Sequence, residues 1–113
     1  MSFDEAGFVN IDSNLNDPKI PSLFSLYQNY PNPFNPVTTL GYDLPEDGLV
    51  NITVYDILGN VINQLVNEVQ NSGYKSILWN ATNNRGQPVS AGVYLYSIEA
   101  GDYRQTKKMI LLK

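Results

Sequence analysis

The residue types that carry most enzyme chemistry are missing from this 113-residue chain, which contains no histidine and no cysteine. Their absence removes Ser-His and Cys-His nucleophiles, the usual zinc sites and the ordinary proton shuttle near neutral pH. It also removes any disulfide framework, so cysteine usage says nothing about redox compartment. Acid-base chemistry would have to come from a carboxylate pair or a Ser-Lys dyad. The acidic residues Asp43, Glu46, Asp47, Asp56, Glu99 and Asp102 fall mainly at expected turns and strand ends, where carboxylates are solvated. Asn80, Asn83 and Asn84, with Asp43 or Asp47, offer oxygens to Ca²⁺, but no stretch has the acidic density of a calcium loop, and turn chemistry accounts for them. The chain is read as non-enzymatic, with no catalytic residue, no metal and no cofactor.

Binding chemistry leaves more to weigh. The single Trp, Trp79, and eight tyrosines could build a sugar-stacking platform, although a lone strand Trp in a sandwich is more often a core residue. The sequons Asn51-Ile52-Thr53 and Asn80-Ala81-Thr82 are short enough to arise without meaning. A net charge of −4 and a pI near 4.5, with Lys107-Lys108 as the nearest thing to a basic patch, argue against a nucleic-acid partner. No apolar run approaches the ~20 residues of a membrane span. Nothing after Met1 resembles a signal peptide, so an export signal would have to lie on a longer parent chain.

The elements that position these residues read as β. Residues 1–23 are a weakly patterned stretch, rich in Asn, Asp and Pro from Asp12 to Pro21, and are expected to be a linker from a preceding domain. Residues 24–113 are the folded domain. In NYPNPFNP, Asn29 to Pro36, the prolines fix their own φ and lack N–H donors, while Tyr30 and Phe34 are side chains that favour burial. Phe34, with Tyr30, is expected to pack over one end or edge of the fold, and the prolines to guard that edge.

Short runs then alternate with turn signals. VTTLGYDL places Thr38, Leu40, Tyr42 and Leu44 on one face, and LVNITVYDI alternates Val50, Ile52 and Val54 with polar neighbours. DILGN turns the chain at Asp56 to Asn60. VINQLV, YKSILWN and the hairpin VYLYSIEA–YRQTKKMILLK about Gly101-Asp102 follow. VINQLVNEV is the one stretch where strand and helix patterns compete, and Gly41 is expected to mark a local bulge. Six or seven strands in roughly 100 residues predict an antiparallel, immunoglobulin-like β-sandwich.

In order along the chain, NYPNPFNPVTT, YDLPEDG, VYDILGN, GYKSILWN, NNRGQPVSAGVYLY and KKMILLK resemble the C-terminal sorting domain of type IX secretion substrates of Bacteroidetes (the Por secretion type A family). That group is itself similar to the immunoglobulin-like domain of flagellar hook-capping proteins. The resemblance runs from about Phe24 to Lys113. It implies a domain ending a larger secreted protein, recognised by an outer-membrane translocon, with a sortase-like peptidase cutting upstream in many members and the cargo reaching the cell surface or the medium via the periplasm. By resemblance, the sorting motifs map to Pro31, Asn32, Pro33 and Phe34, to Gly92 and Tyr94, and to Lys107, Lys108, Met109, Ile110, Leu111, Leu112 and Lys113. A chain of this kind is expected to be an excised piece of its parent.

Each motif also has a plain structural reading. Phe34 is an anchor, Gly92 answers a backbone need, and Tyr94 is sheet packing. The terminal strand differs, since Met109 and Leu111 face one way and Ile110 and Leu112 the other, leaving one apolar face surplus and suggesting an edge for β-addition to a partner. The other functions weighed are a structural module of a flagellar cap and a carbohydrate-binding module built on Trp79.

Overall fold

The computed structural model describes residues 20–112. Its strands are β1 (Ser25–Leu26), β2 (Thr38–Leu44), β3 (Gly48–Asp56), β4 (Val61–Gln70), β5 (Gly73–Trp79), β6 (Gly92–Ala100) and β7 (Tyr103–Leu111). They form two antiparallel sheets, one in the order β1-β2-β5 and the other β4-β3-β6-β7. The sandwich expected from the strand spacing is therefore the fold.

Period-two alternation builds the core. Leu40, Tyr42 and Leu44 from β2 meet Val50, Ile52 and Val54 from β3, Tyr96 and Ile98 from β6, and Met109 and Leu111 from β7, all almost fully buried. In both sheets the intervening residues lie on the other face, as a strand's alternating pleat requires. At one end Trp79 is enclosed by Phe34 and Tyr94, with ring centroids 5.8 and 5.5 Å away. Burial of Trp79 to 1% exposure removes the platform on which a carbohydrate-binding reading rested.

The ambiguous VINQLVNEV is strand throughout. Its pairing with β3 shifts register between Ile52 and Thr53 and again between Val54 and Tyr55, and those irregularities break the alternation that the eye would follow. Only Val66 of β4 is fully buried. Gly41, by contrast, is no bulge: β2 and β5 pair without a shift from Thr38↔Trp79 to Leu44↔Gly73. The Tyr27 ring lies across Gly41, and a Cβ there would sit 3.3 Å from Tyr27 Cδ2. The Tyr27 hydroxyl donates to the Asp43 carboxylate, which fixes the ring over the glycine.

Turn chemistry accounts for the side chains expected to make turns. Asp56 Oδ1 accepts the Leu58 and Asn60 N–H groups at 2.9 Å each, and the bond from the Asn60 side chain, followed by these backbone bonds, holds the Asp56 carboxyl below its ordinary pKa. Asn83 Oδ1 accepts from the Arg85 and Gln87 N–H groups. Asn83 is thus spent on its own loop. Among the described residues no acidic cluster is placed to hold a metal ion.

Candidate recognition surface

Of the residues singled out in the sequence, Asn32, Phe34, Gly92, Tyr94 and Met109 to Leu112 come together at one corner of the sandwich, where the proline segment lies against the last strand, while Lys107 and Lys108 lie further along that strand. Three X-Pro bonds in this segment, Tyr30-Pro31, Asn32-Pro33 and Asn35-Pro36, are cis. Despite the prolines, the segment bonds to both sheets through Tyr30, Asn32 and Phe34. Tyr30 exchanges two main-chain bonds with Thr39 of β2, at 3.0 and 2.9 Å. Phe34 N–H donates to the Ile110 carbonyl at 2.9 Å, and Leu112 N–H donates to the Phe34 carbonyl at 2.8 Å. Asn32 Oδ1 accepts the Ile110 N–H at 3.0 Å. The segment thus bonds to β2 in one sheet and β7 in the other.

Two sequence expectations need correcting here. The segment does more than guard an edge by withholding donors, because the main chains of Tyr30 and Phe34 pair with strand edges. Tyr30 does not pack, being 80% exposed, since it is its main chain that engages β2. Phe34 does what was expected of it: it is 1% exposed and lies against Trp79.

Behind this segment is a buried polar knot that the sequence did not point to. Asn29 is 2% exposed. Its N–H donates to the Tyr96 hydroxyl at 2.7 Å, while its side-chain amide donates to Thr38 Oγ1 and the Pro31 carbonyl. The Tyr96 hydroxyl in turn donates to the Tyr27 carbonyl at 2.7 Å. Burial, only partly offset by the Asn29 N–H bond, pushes the Tyr96 pKa up to about 12. No periodicity marks Asn29 as buried, because it lies outside the strands.

Residues 24–34 follow β7 in the same direction. Phe24 stacks on Tyr103 with centroids 5.2 Å apart, the Gln28 side chain donates to the Lys108 carbonyl at 2.7 Å, and Phe34 forms a parallel bridge with Leu111. Along β7 itself, Lys107 is half-buried and Lys108 exposed. Met109 and Leu111 belong to the core, whereas Ile110 and Leu112 reach solvent. Lys113 lies outside the described residues. Val93 faces Ile110 and Leu95 faces Lys108 across β6, so the exposed side of the strand adjoins further apolar surface.

Gly92 and Tyr94 stand at the same end. Gly92 pairs with Leu111 and has φ 147°, a backbone state that a side chain disfavours. Nothing lies within 4 Å of where its Cβ would be, so conformation and not crowding calls for glycine. Tyr94 sits edge-on to Trp79, and its hydroxyl donates to the Ser90 carbonyl at 2.6 Å. Burial, followed by the nearby Asp56 charge, raises its pKa.

At the far end, a cleft of about 510 Å³ is lined by Phe24, Leu44 and Val50, and by the carboxylates of Glu46, Asp47 and Glu99. Asp47 accepts the Ser72 N–H, and Glu99 pairs with Arg104.

A family model for the secretion system C-terminal sorting domain matches residues 28–112. No curated protein matches. Among solved structures, dimeric latent PorU from Porphyromonas gingivalis is similar at 22% identity and TM-score 0.62, over 79% of this chain and 9% of that one. PorZ, a surface component of the type IX secretion system of P. gingivalis, is similar at 19% identity and TM-score 0.55, over 90% of this chain and 12% of that one. FlgD from P. aeruginosa is similar at 23% identity and TM-score 0.52, over 66% of this chain and 58% of that one. At these identities the three likenesses speak to fold alone. The chain spans only a small part of the PorU and PorZ structures.

Proposed function

The chain belongs to the secretion system C-terminal sorting domain family, and from that membership we propose that it directs a larger protein through the type IX outer-membrane translocon. The family is a sorting family and not a catalytic one, and its role implies export to the cell surface or medium. In this reading residues 24–113 are the sorting domain and residues 1–23 the linker from the cargo. A sortase-like peptidase would cut in or before that linker.

The observation that carries the reading is the family match across residues 28–112, which includes both the proline segment and the apolar terminal strand. Within that strand, Lys108, Ile110 and Leu112 have solvent-facing side chains available to a receptor, whereas Met109 and Leu111 are committed to the core. No observation favours a flagellar scaffold over sorting, since the FlgD likeness concerns fold.

The test is a reporter carrying an export signal, fused to residues 1–113 in a bacterium with a type IX system. Substituting Lys108, Ile110 and Leu112 together by Ser is expected to lower surface delivery while the purified domain keeps its unfolding midpoint. Unchanged delivery with an intact fold would refute the role given to this face. Deleting the whole strand is a poorer experiment, because Met109 and Leu111 each contribute about 1.5 to 3 kcal/mol of burial.

A further inference from the structure

β7 is the outer strand of its sheet, and its main chain is only partly covered. Alternate residues of an antiparallel edge strand turn both N–H and C=O outward. The bonds from Ile110 and Leu112 to Asn32 and Phe34 show that in β7 these are the even-numbered residues. Arg104, Thr106 and Lys108 therefore turn outward as well. Gln28 takes the Lys108 carbonyl. The N–H groups of Arg104, Thr106 and Lys108 and the carbonyls of Arg104 and Thr106 have no partner among the described residues. The apolar end at Ile110 to Leu112, where the sequence suggested β-addition, is occupied by the chain's own proline segment. The open stretch lies just upstream.

Two further features characterise that stretch. Gln105, whose phase points towards the opposite sheet, is exposed and Lys107 only half-buried, so between Tyr103 and Met109 the core-facing side of β7 is open to solvent. Arg104, Lys107 and Lys108 also concentrate positive charge here in a chain of net charge −4. Among the described residues the one carboxylate paired with them is Glu99, 2.8 Å from Arg104. The other outer strands lack this charge: β4 has no cation and carries Glu68, and β5 carries Lys75 alone.

We propose that the Arg104–Lys108 edge accepts an extended acidic segment of a partner polypeptide as an added strand. Main-chain bonds would supply the attachment, and the three cations the choice of partner. Lysines on an open edge discourage self-pairing, and the same charge that repels a second copy of this edge admits an acidic strand. The proposal rests on the sorting reading in making the partner part of the secretion machinery; the binding itself is a property of the domain.

The probe is a capped peptide of about six residues alternating Glu with Val and Thr, with a Lys-for-Glu version as control, titrated into the ¹⁵N-labelled 113-residue protein. The acidic peptide is expected to shift the amides of Arg104, Thr106 and Lys108 and slow their hydrogen exchange, and the basic peptide to leave them unchanged. Lys107→Gln with Lys108→Gln should weaken binding roughly threefold to tenfold. Thr106→Pro removes an outward N–H without touching the ladder to β6, so it should abolish binding at an unchanged unfolding midpoint. Binding of both peptides alike, or shifts confined to β4 or β5, would overturn the proposal. A reporter that is still delivered while the acidic peptide fails to bind removes the edge and leaves sorting intact. Peptide binding without any effect of Thr106→Pro on delivery upholds the edge and removes its place in sorting.

Discussion

Replacing Phe34 by Ala tests whether the proline segment matters as packing or as a signal. The side chain is 1% exposed, lies tilted against Trp79, and closes the core just above Leu111. Removing such a ring costs about 3 to 5 kcal/mol, in a domain whose whole stability is about 5 to 15 kcal/mol. The denaturant midpoint of the purified 113-residue protein should therefore fall by roughly a fifth or more, with the slope unchanged. Phe34→Leu retains most of the apolar volume and should lose only about 1 to 2 kcal/mol. In the reporter assay, delivery by both variants should track the folded fraction. A loss under about 1 kcal/mol for Phe34→Ala would refute the packing argument. Delivery abolished in a well-folded Phe34→Leu would show that the ring itself is read.

Tyr96→Phe leaves the Asn29 N–H and the Tyr27 carbonyl without their shared partner and should cost about 2 to 4 kcal/mol, measured by chemical denaturation. The same hydroxyl sets an alkaline limit, because its pKa is about 12 when folded against about 10 when unfolded. That stabilisation is complete below pH ~10 and declines as pH rises towards ~12, by on the order of 3 kcal/mol; in Tyr96→Phe this part of the decline should vanish. Gly41→Ala should be tolerated within about 1 kcal/mol, because the half-exposed Tyr27 ring can yield slightly, whereas Gly41→Val should displace it. The readout is the Tyr27 hydroxyl pKa, now raised chiefly by its bond to Asp43, which should fall back when the ring moves.

What could be read from the sequence followed the pleat. Wherever apolar residues alternate without interruption, as in β2, β3 and β6, strand, face and core residues were legible, and the Gly101-Asp102 hairpin came with them. Where a bulge shifts the phase, as in β4, the pattern blurred although the strand is long. Gly41 misled because a glycine in a strand signals either a kink or a close approach, and only the fold brings Tyr27 across it. Tyr30 misled because aromatic character forecasts burial of a side chain, not the use of a backbone. The Asn29–Tyr96 knot and the Asn32 contact to Ile110 were illegible for a different reason: they join residues 67 and 78 positions apart, with no local pattern to announce them.

That long-range joining bears on what a sorting domain can report. The opening segment of the fold and its final strand run side by side, and the bonds closing their corner, from Asn32 and Phe34 to Ile110 and Leu112, require both ends of the domain at once. A chain missing its last residues loses the partner of Phe34, and a chain whose opening segment is displaced exposes main chain along the end of β7. Either fault uncovers backbone groups that the intact domain satisfies. On the sorting reading, a receptor that engages this corner thereby distinguishes a completed, folded domain from a truncated or unfolded one, without contacting the cargo. The apolar residues of the terminal motif divide by phase: Met109 and Leu111 hold the strand in the core, and Ile110 and Leu112 reach solvent.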